Sequence, residues 1–246
     1  MDLKIICASP SLQYLELLKT SWKLLRAHFS PIVLLASIGA LPGIYLVQTM
    51  PETSLDSPPF LLILASALIS TLAYTSIMIL IDDVVADREI SLVHIFERAS
   101  ARLPFTITTG LLCLLRLLGW FLLLVIPGII KSVRYSFSIQ AVVLREKAHG
   151  EAIHYSIDLV SGHWWSVVIA GIYISLPQFL LSLPFTASHS AGGTVTSLLL
   201  AVIQILTTAF WYVGETVLFL ALEQLKQPSA PIPALPPPPP PETTEE

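Results

Sequence analysis

Four charged side chains lie inside long apolar stretches of the chain, where a charge must either find a partner or serve a ligand. These residues are Arg116, Lys131, Arg134 and Glu215. A charge in apolar surroundings is costly, so such residues usually pair with one another or mark the path of an ion or substrate. Three cations against one carboxylate leave a positive excess, which could form an anion-attracting or lipid-headgroup cavity. The alternative is an internal ion pair, with the other cations reaching along the helix surface towards water.

Depth along the apolar stretches decides which ion pair we expect. Lys131 and Arg134 are three residues apart and share one helical face. At about 1.5 Å per residue, Arg116 lies roughly 18 Å and Glu215 roughly 10 Å from the inner ends of their helices. A long arginine side chain can bridge much of that difference. We therefore predict an ion pair between Arg116 and Glu215.

Six apolar stretches fill most of the chain and predict an all-α bundle of about six transmembrane helices. A helix needs about 20 apolar residues to cross a membrane, and the fourth stretch is short. Only 12% of the residues are charged, against about 25% in a soluble domain. The six stretches are Phe29–Val47, Pro59–Ile81, Pro104–Ile126, Ile129–Leu144, Trp164–Phe185 and Thr194–Leu222.

The third and fourth stretches allow a second interpretation. We predict a tight turn between them at Pro127–Gly128, because proline and glycine break helices. Lys131 and Arg134 fit poorly in a helix that faces lipid. Pro104–Leu144 could therefore form one re-entrant or sharply kinked unit.

Loop charges orient the helices. Residues 48–58 and 186–193 contain no Lys or Arg, whereas the alternate loops contain several. Cytoplasmic loops are the ones enriched in Lys and Arg, so both termini should be cytoplasmic. We divide the chain into a cytoplasmic amphipathic segment (1–28), a six-helix transmembrane domain (29–224) and a disordered, proline-rich acidic tail (225–246).

An internal repeat predicts how the helices are arranged. Leu17–Leu46 aligns without gaps on Ala152–Leu181, which pairs Ser21 with Ser156 and Phe29 with Trp164. Each copy reads as an amphipathic cytoplasmic helix that leads into a membrane hairpin. Residues 90–144 have the same layout with little identity, so the hypothesis is three parallel units. Chance similarity between apolar helices is the alternative.

The N-terminal helix has an apolar face that can lie in the headgroup plane of a membrane. Packing of this helix on the rest of the protein is an equally good interpretation. The residues of the face are Leu12, Leu15, Leu18, Trp22 and Leu25.

The segment Leu122–Val168 contains an Ile-Pro-Gly-Ile break, an Arg-Tyr-Ser-Phe helix and a Ser-x-x-Leu-x-x-Gly-x-x-Trp entry to the next span. This pattern resembles a family of uncharacterised bacterial multi-pass proteins. The family is related to the membrane domain attached to some glycerophosphoryl diester phosphodiesterases. The resemblance implies a six-helix protein of the bacterial inner membrane. It does not carry over the phosphodiesterase activity, because the catalytic domain is absent from this sequence.

We predict a non-enzymatic integral membrane protein that organises the envelope or binds a partner. The alternative is a transporter or lipid-handling protein with a cationic intramembrane site. No motif predicts a catalytic, cofactor or metal site. Membrane lipid is an expected partner, and the prolines of the tail could dock on a protein, although a solvated spacer is the commoner role. The net charge of −4 argues against nucleic acid.

Overall fold

The computed structural model describes residues 14–49, 60–186 and 194–226, and every regular element in these ranges is an α-helix. Residues 1–13 and most of the tail lie outside the described residues. The helices are α1 (Tyr14–Ala27), α2 (Phe29–Thr49), α3 (Phe60–Val85), α4 (Leu92–Leu123), α5 (Val125–Tyr135), α6 (Ser138–Arg145), α7 (His149–Val160), α8 (Trp164–Thr186) and α9 (Thr194–Lys226).

Five helices are long and apolar enough to cross a membrane: α2, α3, α4, α8 and α9. This confirms the prediction of an all-α protein. Several long apolar helices are typical of multi-pass membrane proteins. The prediction that Ile129–Leu144 forms a single membrane-spanning helix was wrong. This stretch falls on α5 and α6, which have 11 and 8 residues, and each is too short to cross a membrane alone.

The break between α5 and α6 is stabilised by a side chain from α7. The Phe137 N–H donates to Ser156 Oγ at 3.1 Å, and Ser156 Oγ donates to the Arg134 carbonyl at 2.7 Å. Both backbone groups have lost a regular helical partner at the break, and unpaired buried groups are costly. The fully buried Ser156 therefore replaces the missing backbone hydrogen bonds.

The connection between α4 and α5 lies earlier than the predicted Pro127–Gly128 turn. The chain is extended at Leu124, and α5 begins at Val125. Pro127 therefore lies in the first turn of α5, where its missing N–H is not needed. Gly128 permits a close approach, since a Cβ there would lie 2.7 Å from the ring of Phe121.

Helices α4, α5 and α6 form a long excursion that begins and ends at one side of the molecule. Arg98 near the start of α4 binds Asp83 at the end of α3 at 2.8 Å. Arg145 at the end of α6 binds Asp82 and Glu223. We call the side defined by Asp82, Arg145 and Glu223 the charged end. The return of α5–α6 to this end agrees with a kinked Pro104–Leu144 unit.

The two aligned segments of the predicted repeat occupy matching positions in the fold. Alignment pairs Phe29 with Trp164, and these residues begin α2 and α8. The aligned Ser21 and Ser156 are both fully buried. In both halves, a short amphipathic helix is followed by a long helix and then by a second long helix packed against it.

The predicted apolar face of α1 is divided in the structure. Leu25 is buried, whereas Leu15 and Trp22 are more than half exposed. The buried face instead contains Leu17 and Ser21. Helix α1 packs on α8 and α9, which agrees with the alternative that the helix packs on its own protein.

Candidate functional site

Buried carboxylates gather at the charged end of the bundle. Asp82 and Asp83 close α3 and are 6% and 4% exposed. Asp83 accepts hydrogen bonds from Arg98 at 2.8 and 2.9 Å, and from Arg88 at 2.8 Å. Buried charges persist only when they are paired and hydrogen-bonded. These two arginines provide that pairing for Asp83.

Arg145 joins three helices through two carboxylates. Its guanidinium donates to Glu223 of α9 at 2.9 and 3.1 Å through Nε, and it contacts Asp82 of α3 at 3.4 Å. Burial opposes the positive charge, but the hydrogen bonds and charges of Glu223 and Asp82 outweigh it and raise the pKa of Arg145. The charged end therefore fixes the ends of α3, α6 and α9 relative to one another.

A tyrosine from α7 completes this cluster. The Tyr155 hydroxyl donates to the Glu223 carboxylate. Burial and this hydrogen bond raise the pKa of the Tyr155 phenol. Lys147 lies over the Tyr155 ring, with its Nζ 5.3 Å from the ring centroid. The carboxylate of Glu223 is thus engaged by both a cation and a neutral donor.

Sequence reasoning did not select Asp82, Asp83 or Glu223 as site residues. Each lies at the end of an apolar stretch, a position that is ordinarily solvated. A usable signal was present, because acidic residues at span ends are matched by Arg88 and Arg98 in the following loop and helix. The third partner, Arg145, is distant in sequence and could be assigned only from the fold.

The four predicted intramembrane charges do not converge. Arg116 is exposed on α4, and no salt bridge within 4.0 Å joins it to Glu215 among the residues that the structure describes. The predicted Arg116–Glu215 ion pair is therefore not formed, because Arg116 lies on the outer face of its helix. Lys131 Nζ lies 5.1 Å from the ring centroid of Trp120. Arg134 is partly buried at the end of α5.

Glu215 lines a cavity of about 310 Å³ between α5–α6, α8 and α9. The lining is mostly apolar, and Glu215 is its one charged residue. Helix α5 and the break that follows it contribute Val133 and Phe137, and α9 contributes Trp211. A Cβ added at Gly171 on α8 would meet no atom within 4 Å, so the wall of the cavity is open at that point.

Two buried side-chain oxygens on α6 have no hydrogen-bond partner in the described part of the chain. They are Ser138 Oγ and Gln140 Oε1. Gln140 lies beside Glu215. Polar atoms buried without partners are rare in folded proteins. Gln140 therefore places an unsatisfied acceptor near Glu215.

Comparison with known proteins places the central region in a family. The family model described as Domain of unknown function (DUF7847) matches residues 96–223, which is just over half of the chain. This range contains the Leu122–Val168 pattern, the α5–α6 break and the Glu215 cavity. No curated protein and no solved structure matches the chain.

Proposed function

We propose that this protein, which belongs to the DUF7847 family of unknown function, is a non-enzymatic multi-pass membrane protein that binds a membrane-soluble amphiphile. The observation that carries the proposal is the cavity of about 310 Å³ between α5–α6, α8 and α9. Binding sites for small molecules are concave and mostly apolar, with a few polar groups that orient the ligand. The Glu215 cavity has this composition.

An exposed residue in the cavity wall gives a ligand a route into the cavity from the surrounding lipid. Ile172 lines the cavity and is 57% exposed on the outer surface of α8. In a membrane that surface meets lipid chains, so an amphiphile can enter sideways without crossing water. This form of the lipid-handling hypothesis replaces the predicted cationic site, since the lining presents a carboxylate and not the side chains of Arg116, Lys131 or Arg134.

The ion pairing of the carboxylates at the charged end supports a non-enzymatic role. At the charged end, the carboxylates of Asp82, Asp83 and Glu223 accept hydrogen bonds from arginines. A general base needs a free lone pair within reach of a substrate. Ion pairing occupies these carboxylates, which favours a structural role over catalysis.

The proposal includes the orientation of the protein in the membrane and its cellular location. We propose that the charged end faces the cytoplasm of a bacterium, with both termini on that side. Support comes from the basic loops, which are typical of the cytoplasmic side. The likeness to the membrane domain attached to glycerophosphoryl diester phosphodiesterases stays a prediction. The proposed docking of the proline-rich tail on a partner concerns residues outside the described ranges.

We also infer that the fold consists of three parallel units, each with an amphipathic helix and a membrane hairpin. The matched starts of α2 and α8 support the inference, as does the burial of Ser21 and Ser156. In the middle unit the second limb of the hairpin is the broken α5–α6 pair. The cavity lies beside this broken limb.

Photolabelling tests the proposed binding function. The full chain in lipid nanodiscs is irradiated with a diazirine-bearing fatty acid, and labelled peptides are mapped. We expect labelling of cavity residues on α8 and α9 and its loss in Gly171→Trp, which fills the open wall. Leu176→Trp is the matched control, since Leu176 is exposed on the same helix. Equal labelling of the wild type and Gly171→Trp would overturn the proposal.

A further inference from the structure

We propose that the Glu215 cavity selects amphiphiles with a positively charged ammonium group, with Glu215 as the counter-ion and the Trp211 ring as a second contact. The inference rests on the proposed binding function and specifies the ligand class. Such ligands include long-chain amines and quaternary ammonium lipids.

The charge of the lining favours cations. Glu215 is its single ionisable residue, and the structure shows no salt bridge to it among the described residues. The two serines of the lining are engaged elsewhere: Ser136 Oγ donates to the Val133 carbonyl at 2.9 Å, and Ser175 Oγ donates to the Gly171 carbonyl at 2.8 Å. An anionic ligand would thus meet a carboxylate and find no cation in the lining.

The aromatic lining also fits an ammonium group. Trp211 and Glu215 are four residues apart on α9 and therefore face the same side of the helix. Phe137 lines the cavity from the opposite element. Cations are attracted to the faces of aromatic rings, most strongly to tryptophan, and the attraction grows when water is excluded.

Two of the protein's own cations are committed to other contacts. Lys131 lies over the Trp120 ring, and Arg145 binds Asp82 and Glu223. Gln140 lies beside Glu215, and its buried Oε1 has no partner in the described residues. A bound ammonium group would supply the positive charge that this polar region lacks. A charged group within the membrane is expected to have such a partner.

A competition experiment tests the headgroup without relying on any variant. The wild-type chain in nanodiscs is offered three amphiphiles with the same alkyl chain: a quaternary ammonium, an alcohol and a sulfate. Binding is read as displacement of the photolabel from the cavity. We expect the ammonium to compete at least about tenfold better than the alcohol, which corresponds to about 1.4 kcal/mol of binding free energy, and the sulfate to compete worst.

Substitution of the carboxylate supplies the second measurement. Glu215→Gln keeps the shape of the side chain and should remove the ammonium preference, so that the ammonium and the alcohol compete equally well. Glu151→Gln, on the exposed surface of α7, is the matched control and should keep the preference. Unfolding of each variant is followed in parallel, so that loss of fold is distinguished from loss of selectivity.

The outcomes separate the two proposals. Equal competition by all three amphiphiles, or the best competition by the sulfate, overturns the ammonium inference and leaves the binding function standing. Photolabelling that Gly171→Trp does not reduce overturns the binding function itself. An ammonium preference that Glu215→Gln retains shows that the carboxylate is not the counter-ion, and it overturns the assignment of the site.

Discussion

Asp82 and Glu223 close two different long helices, yet both carboxylates contact the guanidinium of Arg145. Asp82 is 6% and Glu223 is 7% exposed. The three side chains come from α3, α6 and α9, so one ion triad connects the two long helices through the end of the broken limb. Removing one partner of a buried pair leaves an uncompensated charge, which costs more than the pair itself contributes.

Arg145→Met should therefore destabilise the protein by about 3 kcal/mol, near the lower end for a broken buried pair because Arg145 remains partly exposed. The measurement is chemical unfolding of the purified chain in detergent. The control is Lys19→Met, which removes an exposed ion pair with Glu16 and should cost less than about 1 kcal/mol. Equal effects of the two substitutions would show that the triad is not structurally important.

Ser156→Ala should cost about 1–3 kcal/mol, since it leaves the Phe137 N–H and the Arg134 carbonyl without their partner at the α5–α6 break. Unfolding in detergent measures this, and hydrogen exchange at Phe137 should accelerate. Ser100→Ala is the matched control, because the Ser100 hydroxyl makes only an exposed bond within its own helix. Unchanged exchange at Phe137 in Ser156→Ala would contradict the proposed support of the break.

Gly128→Ala should weaken the α4–α5 packing. The added Cβ would lie 2.7 Å from the Phe121 ring, and overpacking of this kind typically costs about 1–3 kcal/mol. Gly119→Ala on α4 is the control, because a Cβ there meets no atom within 4 Å. That change should be neutral or slightly stabilising, since alanine favours helix. Thermal unfolding of both variants decides the point, and equal midpoints would refute it.

The spans were predictable because their signal is local. Twenty apolar residues in a row have few structural alternatives in a membrane, and α2, α3, α8 and α9 appear close to their predicted ranges. The split of Ile129–Leu144 was not predictable in the same way. Its residues are apolar enough for one helix, and the break depends on Ser156, which lies beyond the end of α6 in the sequence.

The candidate site was only partly predictable for a related reason. Glu215 was selected from the sequence, since a charge in an apolar stretch is conspicuous. The prediction that Arg116 is its partner was wrong, because depth along a helix does not determine which way a side chain faces. Rotation about the helix axis is set by packing between distant segments, and the cavity is formed by three such segments.

Alkaline pH should destabilise the charged end through Tyr155. Burial and the hydrogen bond to Glu223, which requires the protonated phenol, raise the folded pKa of Tyr155 above the ordinary value of 10.0. The folded state then holds a proton that the unfolded state releases, and stability falls as pH rises above about 10. Tyr155→Phe should lose less stability than the wild type between pH 9 and about 11. Parallel losses in both proteins would exclude Tyr155 as a cause.

Cysteine labelling should show on which side of the membrane the charged end and the two outer loops lie. Starting from a chain in which Cys7 and Cys113 are replaced by serine, single cysteines are introduced at Thr53, His189, Glu151 and Ser229. A membrane-impermeant maleimide added outside the cell should label Thr53→Cys and His189→Cys only. Glu151 follows the α5–α6 limb, so its protection would mean that this limb returns the chain to the side where α3 ends, as the contacts of Arg145 imply. Outside labelling of Glu151→Cys together with protection of Ser229→Cys would place the ends of α6 and α9 on opposite sides and contradict the triad.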